Sequence, residues 1–155
     1  MAEMQTEKNY VIGIDVGTGS ARAGVFSTDG RMVGTATCAT SLYREGGTIV
    51  EQSSDEIWHA VATSVRGAMA ASGVSADQIK GIGFAGTCSL VVLGQDGAPL
   101  PVGDPKHPER NIMVWMDHRA VEQAERINAG GHRVLDYVGG RISPEMETPK
   151  LLWLK

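Results

Sequence analysis

Tyr10-Val-Ile-Gly-Ile-Asp-Val-Gly-Thr-Gly-Ser-Ala-Arg-Ala-Gly-Val-Phe26 is the stretch whose reading decides the fold. The apolar run Tyr10 to Ile14 has the length and content of a buried strand, and it ends on a carboxylate at Asp15. Gly17-Thr18-Gly19-Ser20 turns the chain, and Ala21 to Phe26 reads as strand again. The glycines therefore sit between two strands, not between a strand and a helix. A P-loop needs GxxxxGK[ST] opening a helix, and no Lys follows these glycines. A dinucleotide fingerprint needs a third glycine where Arg22 stands. What remains is a hairpin turn whose backbone N–H groups and hydroxyls can form an anion-binding nest. Thr18 and Ser20 add donors, Arg22 adds a fixed positive charge, and Asp15 is placed to hold a magnesium through water. Such a turn would grip the terminal phosphates of a nucleotide. Gly-Thr-Gly-Ser is also ordinary turn composition, and a carboxylate at a strand end is often only a solvated cap, so the local rules leave both readings standing.

Working outward, Asp29-Gly30 signals a tight hairpin, and Arg31 to Thr40 continues as a third strand, giving an antiparallel meander. Ser41 to Gln52 is polar, contains Gly46-Gly47 and reads as a loop with a short extended piece at Thr48-Ile49-Val50. Ser53-Ser-Asp-Glu56 matches a capping box, so a helix is expected from there to Gly73, with Ile57, Val61, Val65, Ala68 and Met69 along one face. His59 on that helix reads as a half-exposed residue, because no second His or Cys lies at ligand spacing. Ile79 to Phe84 reads as a fourth strand and Leu90 to Leu93 as a fifth. Pro99 to Arg110 holds four of the six prolines and reads as an irregular loop. Asn111 to Trp115 is strand-like. A helix is expected to start at Asp117 or His118 and run to about Asn128, followed by a short one over His132 to Val138. Thr148-Pro149 reads as an N-cap and first helical residue leading into Leu151 to Leu154. That helix ends inside an apolar run, so the sequence is expected to be part of a longer chain. The same apolar face offers a route to a homodimer.

Composition excludes several classes of function. The 155 residues can form a modest core, and 20 glycines point to many turns. A net charge of −4 with both signs interspersed lacks the basic stripe of a nucleic-acid binder. No apolar run approaches the roughly 20 residues of a membrane span. Residues 1–9 are polar, unlike a signal peptide, and read as a disordered tail. Cys38 and Cys88 are far apart and lack metal spacing, so a reduced, cytoplasmic protein with neither nucleic-acid nor membrane partner is expected.

Two further stretches carry chemistry. Thr87, Cys88 and Ser89 follow the fourth strand and supply hydrogen-bonding groups suited to a polyol, although Cys88 in the core and Thr87 closing a turn fit as well. No flanking charge or His marks Cys88 as a nucleophile. Trp115-Met-Asp117-His-Arg119 ends a strand. An indole suits the C–H face of a sugar while Asp and Arg fix its hydroxyls. Equally, Trp115 can be core and Asp117 a helix N-cap.

Ile-Gly-Ile-Asp15-Val-Gly-Thr-Gly-Ser-Ala-Arg22, followed by Asp29-Gly30, resembles the first phosphate motif of sugar kinases with an actin-like, ribonuclease H-like fold, and in particular the FGGY carbohydrate kinases. The resemblance runs from Tyr10 to Lys155. It is nearest the ribulokinase-like branch in Thr87 to Leu93, Asn111 to Ala120, Tyr137 to Gly140 and Pro149 to Lys155. It implies an α/β fold, a mixed sheet with flanking helices forming an incomplete first domain over residues 10–155. It further implies ATP and Mg2+ as cofactors, with Gly17, Thr18, Gly19, Ser20 and Arg22 on the nucleotide and Asp15 on the metal. Thr87, Cys88, Trp115, Asp117 and Arg119 would face a pentulose, most simply ribulose, phosphorylated to its 5-phosphate. Xylulokinases carry Gln-Met-His near Thr87 to Ser89 and glycerol kinases Arg-Glu; Ala85 stands where related sequences carry Asp or Ser. The family's catalytic base is an Asp from later in the chain, and no carboxylate here matches it, so these residues alone are expected to be inactive. Three alternatives remain: a kinase of xylulose, ribitol or glycerol; a switch ATPase of the actin or chaperone type, against which the Trp115–Arg119 segment argues; and a non-catalytic fragment that serves interaction only.

Overall fold

The computed structural model describes residues 8–155; the part of the expected tail at 1–7 lies outside the described residues. Eight strands run along them: β1 (Tyr10–Val16), β2 (Ser20–Ser27), β3 (Met32–Ala39), β4 (Tyr43–Glu45), β5 (Ile49–Gln52), β6 (Ile79–Gly86), β7 (Leu90–Val91) and β8 (Ile112–Met113). The α-helices are α1 (Ser54–Ser72), α2 (Val121–Ala129) and α3 (Glu147–Leu154). They fall into two compact units, Met1–Thr40 with Glu56–Thr87, and Ser41–Asp55 with Cys88–Lys155.

The first unit is built on a mixed sheet in the order β3-β2-β1-β6. β1 runs antiparallel to β2 and parallel to β6, as the expected ribonuclease H-like arrangement requires. Alternation decides which face is covered. Ile12 and Ile14 of β1, with Ala21, Ala23 and Val25 of β2, turn to one side and pack with Ala60, Val61 and Ala68 of α1. Ile57, Val65 and Met69 join that core, so the face foreseen for the helix is the one buried. Gly30 takes φ +91° in the β2–β3 turn and Gly73 takes φ +64° where α1 stops, both in the left-handed region. β3 approaches α1 so closely that a Cβ on Gly34 would lie 2.6 Å from the Ala68 carbonyl oxygen and the Ser72 nitrogen. β6 is less covered. Its Ile82 and Phe84 pair with Ile12 and Ile14, yet they are 59% and 60% exposed.

The second unit contains an antiparallel sheet in the order β4-β5-β8-β7. The stretch 41–52, expected as a loop, thus supplies a hairpin whose second strand is buried at Val50, Glu51 and Gln52. In the same unit α2 and α3 contact each other, and a 3-10 turn spans Arg133–Val138, with Leu135 buried. α2 begins at Val121, later than expected, because the residue foreseen as its cap, Asp117, turns its carboxylate elsewhere. α3 begins at Glu147 with Met146 as N-cap, ahead of Thr148. Pro149 remains within the first turn, where a missing N–H removes no helical bond. Ser54, the first residue of α1, donates its N–H to Asn111 Oδ1 at 2.9 Å and accepts at its hydroxyl from Asn111 Nδ2 at 3.0 Å.

Candidate active site

In the first unit the β1–β2 hairpin brings Asp15, Gly17, Thr18, Gly19, Ser20 and Arg22 together. Gly17 N–H donates to the Ser20 carbonyl at 2.9 Å and closes the turn. Asp15 and Arg22 face each other across the ladder, and Arg22 Nη2 donates to Asp15 Oδ2 at 2.5 Å. Both side chains are about half exposed. The guanidinium folds back over the turn, so that a Cβ on Gly17 would lie 2.7 Å from Arg22 Nη2. Around Gly19 a Cβ would meet nothing within 4 Å. Neither glycine takes a positive φ. Beside the backbone N–H groups of the turn stand the hydroxyls of Thr18 and Ser20 and the Arg22 guanidinium. No group of three His, Cys, Asp or Glu among the described residues could hold a metal ion. A lone half-exposed carboxylate suits a magnesium that arrives with its own phosphate ligands, because Mg2+ is commonly held by one or two carboxylates plus substrate phosphates. The residues present therefore fit a magnesium nucleotide. Thr87 follows β6 in this unit, and its N–H donates to the Val16 carbonyl at 3.2 Å.

In the second unit Cys88, Trp115, Ser143, Glu145, Met146 and Glu147 line a pocket of about 410 Å³. Cys88 and Trp115 meet there, and Cys88 is an exposed free thiol. Asp117 and Arg119 do not line it. Asp117 is 0% exposed, and its carboxylate accepts the Val50 N–H at 2.8 Å and the Arg119 N–H at 3.0 Å. It also takes Arg119 Nε at 2.9 Å and Nη2 at 2.6 Å. Arg119 completes its fork by donating to the Val102 carbonyl and to Glu51 Oε1, both at 2.8 Å. Its guanidinium lies 5.1 Å from the Trp153 ring centre. Burial works against the Arg119 charge, but hydrogen bonds and attraction from Asp117 and Glu51 outweigh it and hold the group above its ordinary value. The pair fastens the strand end, with Val50 donating to Asp117 while its own carbonyl accepts from Val114 at 3.0 Å.

Two groups, Glu147 in the pocket lining and Lys150 beside it, escaped sequence reasoning. Lys150 is 0% exposed and donates to the Val114 and Trp115 carbonyls at 3.0 and 3.2 Å. Glu147 carries a buried Oε2 with no hydrogen-bond partner. Burial raises its carboxyl above the usual value, with Lys150 pulling the other way. Nothing local marks either residue: both sit on an apolar helical stretch and gain their surroundings from elements far away in sequence.

Solved structures share this fold. The chain superposes on a xylulose kinase from Rhodospirillum rubrum with a TM-score of 0.80 at 21% identity, covering 94% of this chain and 29% of that one. It superposes on Plasmodium falciparum glycerol kinase solved with ADP at 0.74 and 16%, covering 95% and 28%. Together with the sheet order, these place it in the actin-like, ribonuclease H-like class. The model for the N-terminal domain of the FGGY family of carbohydrate kinases matches residues 10–155, and the chain belongs to that family. It is 44% identical over 151 residues to an FGGY carbohydrate kinase domain-containing protein of Homo sapiens, covering 97% of this chain and 27% of the human one. It is likewise 44% identical over 151 residues to a D-ribulokinase of Saccharomyces cerevisiae, covering 96% and 21%. To a glycerol kinase of Enterococcus casseliflavus the identity is 29% over 150 residues, covering 96% and 28%. The chain thus spans about a quarter of the length of these curated relatives.

Proposed function

We propose that the full-length protein transfers the terminal phosphoryl group of ATP to a ketopentose, ribulose, giving the 5-phosphate. This chain supplies the phosphate turn and part of the sugar site. The observation that carries the reading is the Asp15–Arg22 pair, half exposed beside a glycine turn that is open at Gly19. Arg22 and the hydroxyls of Thr18 and Ser20 would bind phosphate oxygens, and Asp15 would hold Mg2+, which when bound neutralises charge on the transferring group. Trp115 and Cys88 would face the sugar. Asp117 and Arg119 enter as supports for Trp115, in place of the direct contacts their sequence suggested. The 44% identity to the yeast D-ribulokinase favours ribulose over xylulose or glycerol. Among the described residues no helix is long and apolar enough to cross a membrane, which is compatible with an enzyme working in the cytoplasm.

Phosphoryl transfer from ATP by the full-length protein, measured on D-ribulose, L-ribulose, D-xylulose, ribitol and glycerol, tests this. Turnover on a ribulose that collapses in Asp15→Ala and drops in Trp115→Ala supports the assignment. ATP hydrolysis indifferent to every sugar refutes it in favour of a switch ATPase.

A further inference from the structure

We infer that Lys150 is a positioning residue for substrate recognition, fixing the Trp115 peptide so that the indole holds its place in the pocket beside Cys88. The inference rests on the kinase reading above. Trp115 is gripped from both sides of its backbone. Its N–H donates to Ser89 Oγ at 3.1 Å, and its carbonyl accepts from Lys150 Nζ at 3.2 Å. The same ammonium reaches the preceding carbonyl, Val114, at 3.0 Å, so one charge ties two consecutive peptides.

A buried ammonium is costly unless its protons are bonded, and a methionine would fill a similar volume without that cost. Burial does push the Lys150 amine below its ordinary value, with Glu147, Asp117, Cys88 and Glu145 opposing the shift. Yet among the described residues its hydrogen-bond acceptors are no carboxylates; the ammonium is aimed at the two peptides that flank the Trp115 Cα. Those peptides set the direction of the Trp115 Cα–Cβ bond. Lys150 does not itself line the pocket, so its effect on a sugar passes through Trp115.

The test uses Lys150→Met and Ser89→Ala, which remove the two grips from opposite sides, in the full-length protein labelled with 5-fluorotryptophan. The Trp115 resonance is assigned by its absence in Trp115→Phe. The expected result is a displaced or broadened Trp115 signal in both variants. With it, KM for ribulose should rise about 10-fold or more, since misplacement by about 1 Å can cost on the order of 100-fold. KM for ATP should stay unchanged. Lower thermal stability with both the Trp115 signal and the sugar KM unmoved would make Lys150 merely structural and overturn the inference. If the wild-type protein phosphorylates no sugar, the kinase reading fails separately, and an unmoved fluorine signal still decides against Lys150.

Discussion

Gly17 and Gly19 flank the same threonine, but their surroundings assign them different work. At Gly17 the space for a Cβ is already taken by the Arg22 guanidinium at 2.7 Å, whereas at Gly19 the protein offers nothing within 4 Å. Gly19→Ala, at a negative φ, should therefore leave stability within about 0.5 kcal/mol, as for surface substitutions generally. Its activity should nevertheless fall and its KM for ATP rise, because the new methyl occupies space that phosphate oxygens would approach. Denaturant melts and ATP kinetics on the full-length protein check both halves; unchanged kinetics would place the phosphates elsewhere. Asp117 poses the reverse case. It is fully buried and bonded to Val50 and Arg119, so Asp117→Ala leaves a buried guanidinium short of its main partner. Breaking a buried pair from one side costs about 3–5 kcal/mol. The variant should lose that much in chemical denaturation, where removal of a sugar contact alone would leave stability intact.

Among the elements, β3 and α1 approach each other closely. A Cβ at Gly34 would collide with backbone atoms of Ala68 and Ser72, and one at Gly67 would lie 2.7 Å from the Ala36 Cβ. Backbone cannot rotate away as a side-chain tip can, so Gly34→Ala should cost about 1–3 kcal/mol as overpacking. A denaturation midpoint equal to the wild type's would show that the two elements can separate freely. This contact was invisible in the sequence, where Gly34 is merely one small residue in an alternating strand. What was legible there has local signals: the Asp29-Gly30 turn, the capped start and glycine stop of α1, the apolar periods of β1 and β2. From these the β-β-β-α-β order follows. Of the β4–β5 hairpin only an extended piece at Thr48 to Val50 was legible, because its strands are three and four residues long and completed by β8 some 60 positions later. The same distance hid the candidate site's supports. Trp115 and Cys88 declare themselves by type, but Glu51, Val50 and Lys150 become partners of that segment only through the fold.

At the scale of the whole molecule, two neighbours of the Trp115 pocket make the stability of the folded chain depend on pH. Burial holds Glu147 above its ordinary value of 4.5, Lys150 opposing, and holds Lys150 below its ordinary 10.5, Glu147 opposing. Between 4.5 and the raised value, the native chain keeps a proton on Glu147 that the unfolded chain has released, so stability falls as pH rises through that window. Between the lowered Lys150 value and 10.5 the unfolded chain is the one holding the extra proton, so stability rises with pH there. In the interval between these windows both groups are charged, and each carries its burial cost in full. Glu147→Gln keeps the shape of the side chain and removes the carboxyl titration. Relative to the wild type, the variant should gain stability as pH rises from 4.5, then level off once the wild-type carboxyl is ionised. Its alkaline window should also start at lower pH, because Lys150 has lost the carboxylate that most opposes its deprotonation. Urea melts of the two proteins across the acid, neutral and alkaline ranges measure the difference directly. A stability difference that stays constant over the whole span would mean that Glu147 ionises in the folded chain as it does in the unfolded one, and that the solvent reaches its carboxylate.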